Sequence, residues 1–419
     1  MFIILCFAIS FSVHSQSLNS YMQKLVDHSP SVQAKKHEFA VAEAEYRSAV
    51  SAAFPSINFN TNYSEQKNPF GSSFFIGTIK NYSTVFQVQQ PVYLGGRIWA
   101  GMEIKQQARR ATKLMVELET QKILREFLTN YFKLLNLEEK KQSLKKSFKI
   151  QQQFVSLTKS KLKKGSARPY EAFQAEAELA SYESRLKQLN TQITSLRESL
   201  KEDLGVEKIN DFNYPKTFVE VKYNKDEIFK ELLRNNLQIQ IGKQQIDVAE
   251  AQKSLEVGEH LPSLNLEAQM GWRSPDTSGL FEKSNESHTY IVNFSIPIFS
   301  GLSSFSTRKA STQRVMQQKK HLQSSQLAVT KQFYLFYESY KNAREVYLKT
   351  KKWQSQADLA VRNGLKNFKS GIISNFQVVQ LQKGLEAAES ALADATASYH
   401  LSVVDLYYVL GRDLLSLYK

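Results

Sequence analysis

Four stretches of this chain alternate between polar and apolar residues with a period of two, the signature of a strand with two different faces. After Pro55, Ile57, Phe59, Thr61 and Tyr63 share one side, while Ser56, Asn58, Asn60, Asn62 and Ser64 share the other. The run 263–272 sets Leu264, Leu266, Ala268, Met270 and Trp272 against Asn265, Glu267 and Gln269. Thr84, Phe86 and Val88, then Tyr290, Val292, Phe294 and Ile296, repeat the pattern. A packed core would have to satisfy every amide of the Asn- and Gln-rich face, whereas water does so freely. These lengths and faces fit membrane strands with lipid outside and a wet lumen inside. Four strands cannot close, and lipid tolerates no open edge, so several copies must share one barrel.

Between the strands the period changes. From Gly96 to Lys163, and from Leu302 to Lys369, no proline interrupts a charged, helix-forming run, and each would span about 100 Å at 1.5 Å per residue. Return helices are predicted from Tyr170 to Leu204 and from Asn375 to Leu410, after breaks at Gly165 and Gly371. Steps of four and three pick out Ala175, Leu179, Tyr182, Leu186, Leu189 and Ile193 in the first, and Leu381, Leu385, Ala388, Leu392, Ala395 and Tyr399 in the second. Such seams are those of coiled coils. Taken alone, the helices fit a soluble coiled-coil rod equally well.

The chain is written twice. Pro91 and Pro297 differ by 206 positions, as do Gly95 and Gly301, Gly165 and the glycine at 371, and Leu204-Gly205 and Leu410-Gly411. This gives a signal peptide at 1–16, a first structural repeat at 17–205, a linker at 206–225, a second repeat at 226–411 and a tail at 412–419. The repeated joints "QPVYLGG" and "IPIFSGL" explain themselves locally. Pro91 and Pro297 lack an amide donor and are expected to end strand pairing, and Gly95, Gly96 and Gly301 supply the dihedral freedom to turn a strand into a helix.

Composition narrows the class. The first residues, "FIILCFAISFSV", form an apolar segment too short to span a bilayer, followed by a small-residue cleavage pattern. The one cysteine, Cys6, falls inside it, so the mature chain is expected to hold no disulfide. The net charge of +15 invites a nucleic-acid reading, but the basic residues are scattered along helices and interleaved with Glu, as on a solvated face. No catalytic spacing is present: neither H-E-x-x-H, nor G-x-S-x-G, nor a phosphate-binding glycine loop. No enzyme, cofactor or metal centre is expected. Glu267 is the one acid of its strand, on the predicted lumen face, where it stands as a solvated pore-lining group.

With two halves of helix, strand, strand, long helix and return helix, the joints above, and the turns "KKGSARPYEAFQAE" and "KSGIISNFQVVQLQ", the sequence resembles the TolC family of outer-membrane efflux proteins over nearly all of its length. The resemblance implies a mainly α fold with a membrane β-barrel portion. Three chains would each give four strands to a shared 12-stranded barrel, continued by a long α-helical coiled-coil periplasmic tunnel. It implies an outer-membrane channel with a large periplasmic portion, the passive exit duct of a tripartite efflux or type I secretion system. The implied partners are a periplasmic adaptor and an inner-membrane transporter, met at the helix turns. The alternative from the residues alone is a periplasmic coiled-coil adaptor that never enters the membrane.

The turns would form the periplasmic entrance. There Lys163, Lys164, Gly165 and Arg168 precede Glu171, and Phe368, Lys369 and Gly371 precede Gln377 and Gln380. In several members of the family the positions of Gln377 and Gln380 carry carboxylates, so the entrance here is expected to lack an acidic ring.

Overall fold

The computed structural model describes residues 18–67, 78–209, 213–215, 225–299, 303–370 and 372–418. The expected signal peptide, Gly301 and Gly371 lie outside the described residues. Each half has the same element order: α1 (Leu18–His28), α2 (Pro30–Ser51), β1 (Ser56–Lys67), β2 (Thr78–Leu94), α3 (Arg97–Lys163) and α4 (Pro169–Leu204), then α5 (Lys225–Asn235), α6 (Leu237–Gly258), β3 (Ser263–Ser274), β4 (Glu286–Ser295), α7 (Ser303–Lys369) and α8 (Asn375–Leu410). Paired helices of the two halves match in length, with 67 residues in both α3 and α7 and 36 in both α4 and α8. The chain is therefore mainly helical, with a four-stranded antiparallel sheet.

Two compact units are built from both halves. One contains the sheet, with residues 35–116 and 238–325. Strands follow the order β1-β2-β3-β4, all antiparallel, leaving β1 and β4 as open edges. Gly95 and Gly96, with φ of +62° and +78°, make the turn from β2 into α3, a backbone region that residues with a Cβ avoid. Pro91 does not end the strand as expected. Pairing with β1 stops at Gln89, but β2 continues against β3 through Pro91 to Leu94, with the register shifting between Pro91 and Tyr93. A bulge absorbs the missing donor, so only one of its two neighbours is lost. Pro297 does lie beyond its strand, which ends at Ser295.

The other unit, residues 18–34, 117–237 and 326–418 among those described, holds the helical core. Leu124, Phe127, Leu128, Phe132 and Leu134 of α3 are buried together with Ile228 and Leu232 of α5, Phe333 of α7, and Val404, Leu406 and Leu410 of α8. The expected seam of α8 is partly right: Ala388 and Ala395 are buried, but Leu381 and Leu385 are half-buried with Gln382 buried between them, and near the end Tyr399, His400, Ser402, Val403 and Val404 are all buried. Neighbours surround the helix there. His400 stacks on Phe132 with ring centres 4.8 Å apart, Tyr340 and Tyr347 stack on Tyr399, and Tyr418 closes edge-on to Phe132. Burial lowers the His400 pKa to about 4. Both return helices end on a left-handed glycine, Gly205 at φ +61° and Gly411 at +71°. A side chain at Gly205 would overlap the His28 ring, and one at Gly411 the Asn235 carbonyl.

Candidate channel wall and helix turns

The register determines which side chains share a face of the sheet. Ile57 lies opposite Val88, Phe59 opposite Phe86 and Tyr63 opposite Tyr82. Phe86 then lies opposite Met270 and Thr84 opposite Trp272, while Leu266 faces Val292 and Leu264 faces Phe294. All four apolar sets thus fall on one side. Aromatic pairs tie neighbouring strands there: Phe59 with Phe86 at 4.7 Å, Tyr63 with Tyr82 at 4.7 Å, and Phe86 edge-on to Trp272 at 6.4 Å. Yet this face is uncovered. Tyr290 is 81% exposed, Val292 70% and Ile57 72%. An apolar patch this continuous marks a surface that meets lipid or protein.

The opposite face is polar. Asn58 lies opposite Gln87, which lies opposite Gln269, and Asn265 pairs with Asn293. Glu267 sits among these amides, accepting from Gln87 Nε2 at 2.6 Å, from Gln89 Nε2 at 3.5 Å and from Gln269 Nε2. The three glutamines went unread as a group in the sequence. The available signal was parity: all three share the odd-numbered face of their strands with Glu267.

At the strand-to-helix joint, Gly95 packs directly on the end of α6. A Cβ on Gly95 would overlap the Gly258 carbonyl oxygen, whereas Gly96 looks into open space. Arg97 Nε then donates to the Leu94 carbonyl at 3.0 Å, bracing the turn. In the second half, only Pro297 of the expected joint lies among the described residues.

The two helix turns are built alike. Ser166 N donates to the Lys161 carbonyl at 2.8 Å, and at the position 206 residues on, Ile372 N donates to the Asn367 carbonyl at 2.9 Å. Gly165 takes φ +72°, with nothing near it. Each return helix then begins with its third residue reaching back, Glu171 Oε2 accepting from Arg168 N at 3.1 Å and Gln377 Oε1 from Ser374 N at 2.8 Å. In the second turn Ser374 Oγ reciprocates by accepting from Gln377 N at 3.4 Å. Glu171 and Gln377 are thus bound as caps. Gln380, Lys163, Lys164 and Arg168 are exposed, and the three basic residues make no ion pair with another described residue. Phe368 is instead buried, its ring 5.7 Å from Phe154 in a cluster with Val155, Ala175 and Val378, and Lys161 Nζ lies 4.2 Å over it. Of the side chain of Lys369 nothing is described.

Among the described residues, no group of His, Cys, Asp and Glu is placed to hold a metal ion, and no helix is long and apolar enough to cross a membrane. The second statement leaves the strands untouched.

No curated protein matches the sequence. Among solved structures, the chain is similar in fold to the outer membrane protein VceC from Vibrio cholerae, with a TM-score of 0.82 at 16% identity, covering 94% of this chain and 96% of that one. It is likewise similar to the CmeC outer membrane channel of Campylobacter jejuni, with a TM-score of 0.81 at 16% identity over 93% and 85% of the two chains. The open state of the MtrE outer membrane channel of Neisseria gonorrhoeae gives a TM-score of 0.83 at 16% identity, over 94% and 89%. The model of the outer membrane efflux protein family matches twice, at residues 21–206 and 228–412. That family is one of conduits, and it excludes the reading of a coiled coil that stays out of the membrane. With nearly the whole chain matched, two-faced strands and paired long helices, the chain belongs to the outer membrane efflux protein family and resides in the outer membrane with a large periplasmic portion.

Proposed function

We propose that three copies of this chain close a twelve-stranded barrel, and that the assembly is the exit duct of a tripartite efflux or type I secretion system, passing cargo from the periplasm to the exterior. The observation that carries this reading is the four-strand register, which puts an exposed apolar face on one side and an amide-rich face on the other while leaving β1 and β4 unpaired. In lipid each unpaired backbone group costs several kcal/mol, so the open edges call for neighbouring copies. Four strands from each of three chains give the even-numbered barrel that bacterial outer membranes accept.

In this assembly Pro91, Gly95 and Gly96, with Pro297 and Gly301 in the second half, are the joints where barrel becomes tunnel. The turns around Gly165 and Gly371 form the periplasmic entrance, where a periplasmic adaptor and, behind it, an inner-membrane transporter would dock. Lys163, Lys164, Arg168 and Lys369 make that entrance basic, with Glu171, Gln377 and Gln380 giving it no free acidic ring. Exposure of Lys163, Lys164 and Arg168 supports this arrangement.

The test is the state of the protein extracted from membranes. In detergent its protein mass by light scattering is expected to be that of three chains, and circular dichroism is expected to show strand signal beside strong helix signal. A monodisperse monomer that stays soluble without detergent would overturn the reading.

A further inference from the structure

The polar face of the sheet is short of charge. Among the described strand residues of that face, Glu267 is the one acid and Arg273 the one base. They stand six positions apart on β3, about 20 Å at 3.4 Å per residue, too far for an ion pair. Glu267 lies four positions from Ser263, the residue paired with Leu94 beside the Gly95 joint. Its partners are all carboxamides. Gln87 and Gln269 donate to one carboxylate oxygen and Gln89 to the other. An amide donor orients a carboxylate but adds no countercharge. Ile291, the cross-strand neighbour on β4, adds none either. The protein thus holds one negative charge in a fixed place on a wet face and leaves it uncompensated.

We propose that Glu267 is a specificity-determining residue of the conduit, supporting an anionic ring just past the joint that admits cationic solutes in preference to anionic ones. The inference rests on the shared-barrel reading above, since three copies bring three such carboxylates to one level of the lumen. Low-dielectric walls focus their field across the opening. The reach of that field depends on salt: the screening length is about 30 Å at 0.01 M and about 3 Å at 1 M. Cation preference from this ring therefore fades as salt rises. The basic residues at the helix turns act in series with it, so the effect of Glu267 is read as a difference between variants.

The experiment reconstitutes the purified full-length protein in planar lipid bilayers and measures reversal potential across a potassium chloride gradient at low and high salt. Glu267→Gln keeps the shape and removes the charge, one acceptor oxygen becoming an amide donor. It is expected to lower the cation-over-anion permeability ratio about twofold or more at low salt and to change little at high salt. Gln89→Lys, which sets a base beside the carboxylate, is expected to move the ratio the same way, and Glu267→Asp to restore it. Channels of Glu267→Gln or Gln89→Lys with the wild-type ratio at low salt would overturn the inference while leaving the conduit intact. A wild-type protein that forms no channels would instead overturn the conduit reading itself.

Discussion

Gly95 and Gly258 approach each other backbone to backbone. A Cβ on Gly258 would stand 2.6 Å from the Gly95 carbonyl oxygen, and one on Gly95 would overlap the Gly258 carbonyl in return. The start of α3 is thereby pressed against the end of α6 with no room for a side chain. Gly95 carries a second constraint in its φ of +62°, which β-branched residues strongly avoid.

Gly95→Val is accordingly expected to reduce the yield of assembled protein severely. Ser324→Val, at an exposed site within α7, is expected to leave it close to wild type. Gly96→Ala should fall between, because its φ of +78° is strained but its surroundings are open. Heat-resistant oligomer on electrophoresis, compared across the three variants, measures this. Equal yields would show that the joint tolerates a side chain.

The two faces of β4 should respond oppositely to one change. Val292 lies on the apolar face and Asn293 on the polar face next to it. Val292→Arg is expected to destabilise the inserted sheet, by up to about 2–4 kcal/mol according to its depth, because it sets a base against lipid. Asn293→Arg should insert normally. Urea unfolding in lipid vesicles supplies the comparison, and equal loss in both variants would mean that the sheet does not divide lipid from water.

His400 makes the helical unit sensitive to acid. Its folded pKa of about 4 lies below the ordinary 6.5, so the unfolded chain takes up a proton first as pH falls. Stability from this group is complete above about pH 6.5 and is lost on descending towards pH 4, on the order of 3 kcal/mol per chain. His400→Phe keeps the stack on Phe132 and removes the titration. Thermal midpoints of the two proteins, measured between pH 7 and 4.5, should diverge, the wild type falling more steeply.

The caps at the helix turns are expected to be locally worth about 1 kcal/mol each. Glu171→Ala and Gln377→Ala should each speed hydrogen exchange in the first turn of its return helix. Glu171→Gln, which retains the acceptor, should not. Exchange unchanged in both alanine variants would show that the turns hold their form without them.

Much of this was legible from period alone. Alternation identified all four strands and set the apolar residues it named on one face, although Ile296 falls beyond β4, which ends at Ser295, and Val85 and Ile291 lie on the polar face. The turn from β2 into α3 was marked by Gly95 and Gly96, the start of α4 by Pro169, and the ends of α4 and α8 by Gly205 and Gly411. What was missed lies where neighbours decide. The first helix of each half is in fact two, broken at Ser29 before Pro30 and at Asn236, and the first break had a readable signal in the proline. β2 runs through Pro91 against β3 alone, β1 having begun only at Ser56 opposite Gln89, a fact about pairing partners that no local pattern carries. The burial of Val403 and Val404 beside Leu406 depends on the elements packed against this end of α8, among them α3, α7 and the chain end at Tyr418. The cap formed by Gln377 also went unread, though the spacing Ser374-x-x-Gln377 announces it.

The open edges of β1 and β4 bear on the order of events during biogenesis. A lone chain reaching the bilayer could not leave its strands there without stranding two rows of amides and carbonyls in hydrocarbon. In the three-chain assembly proposed above, insertion is thus conditional on encounter, and its rate is expected to rise faster than linearly with the number of chains present. Until that encounter the same edges offer ready templates for mispairing. A cell making this protein slowly would then lose a larger fraction of it to proteolysis than one making it quickly.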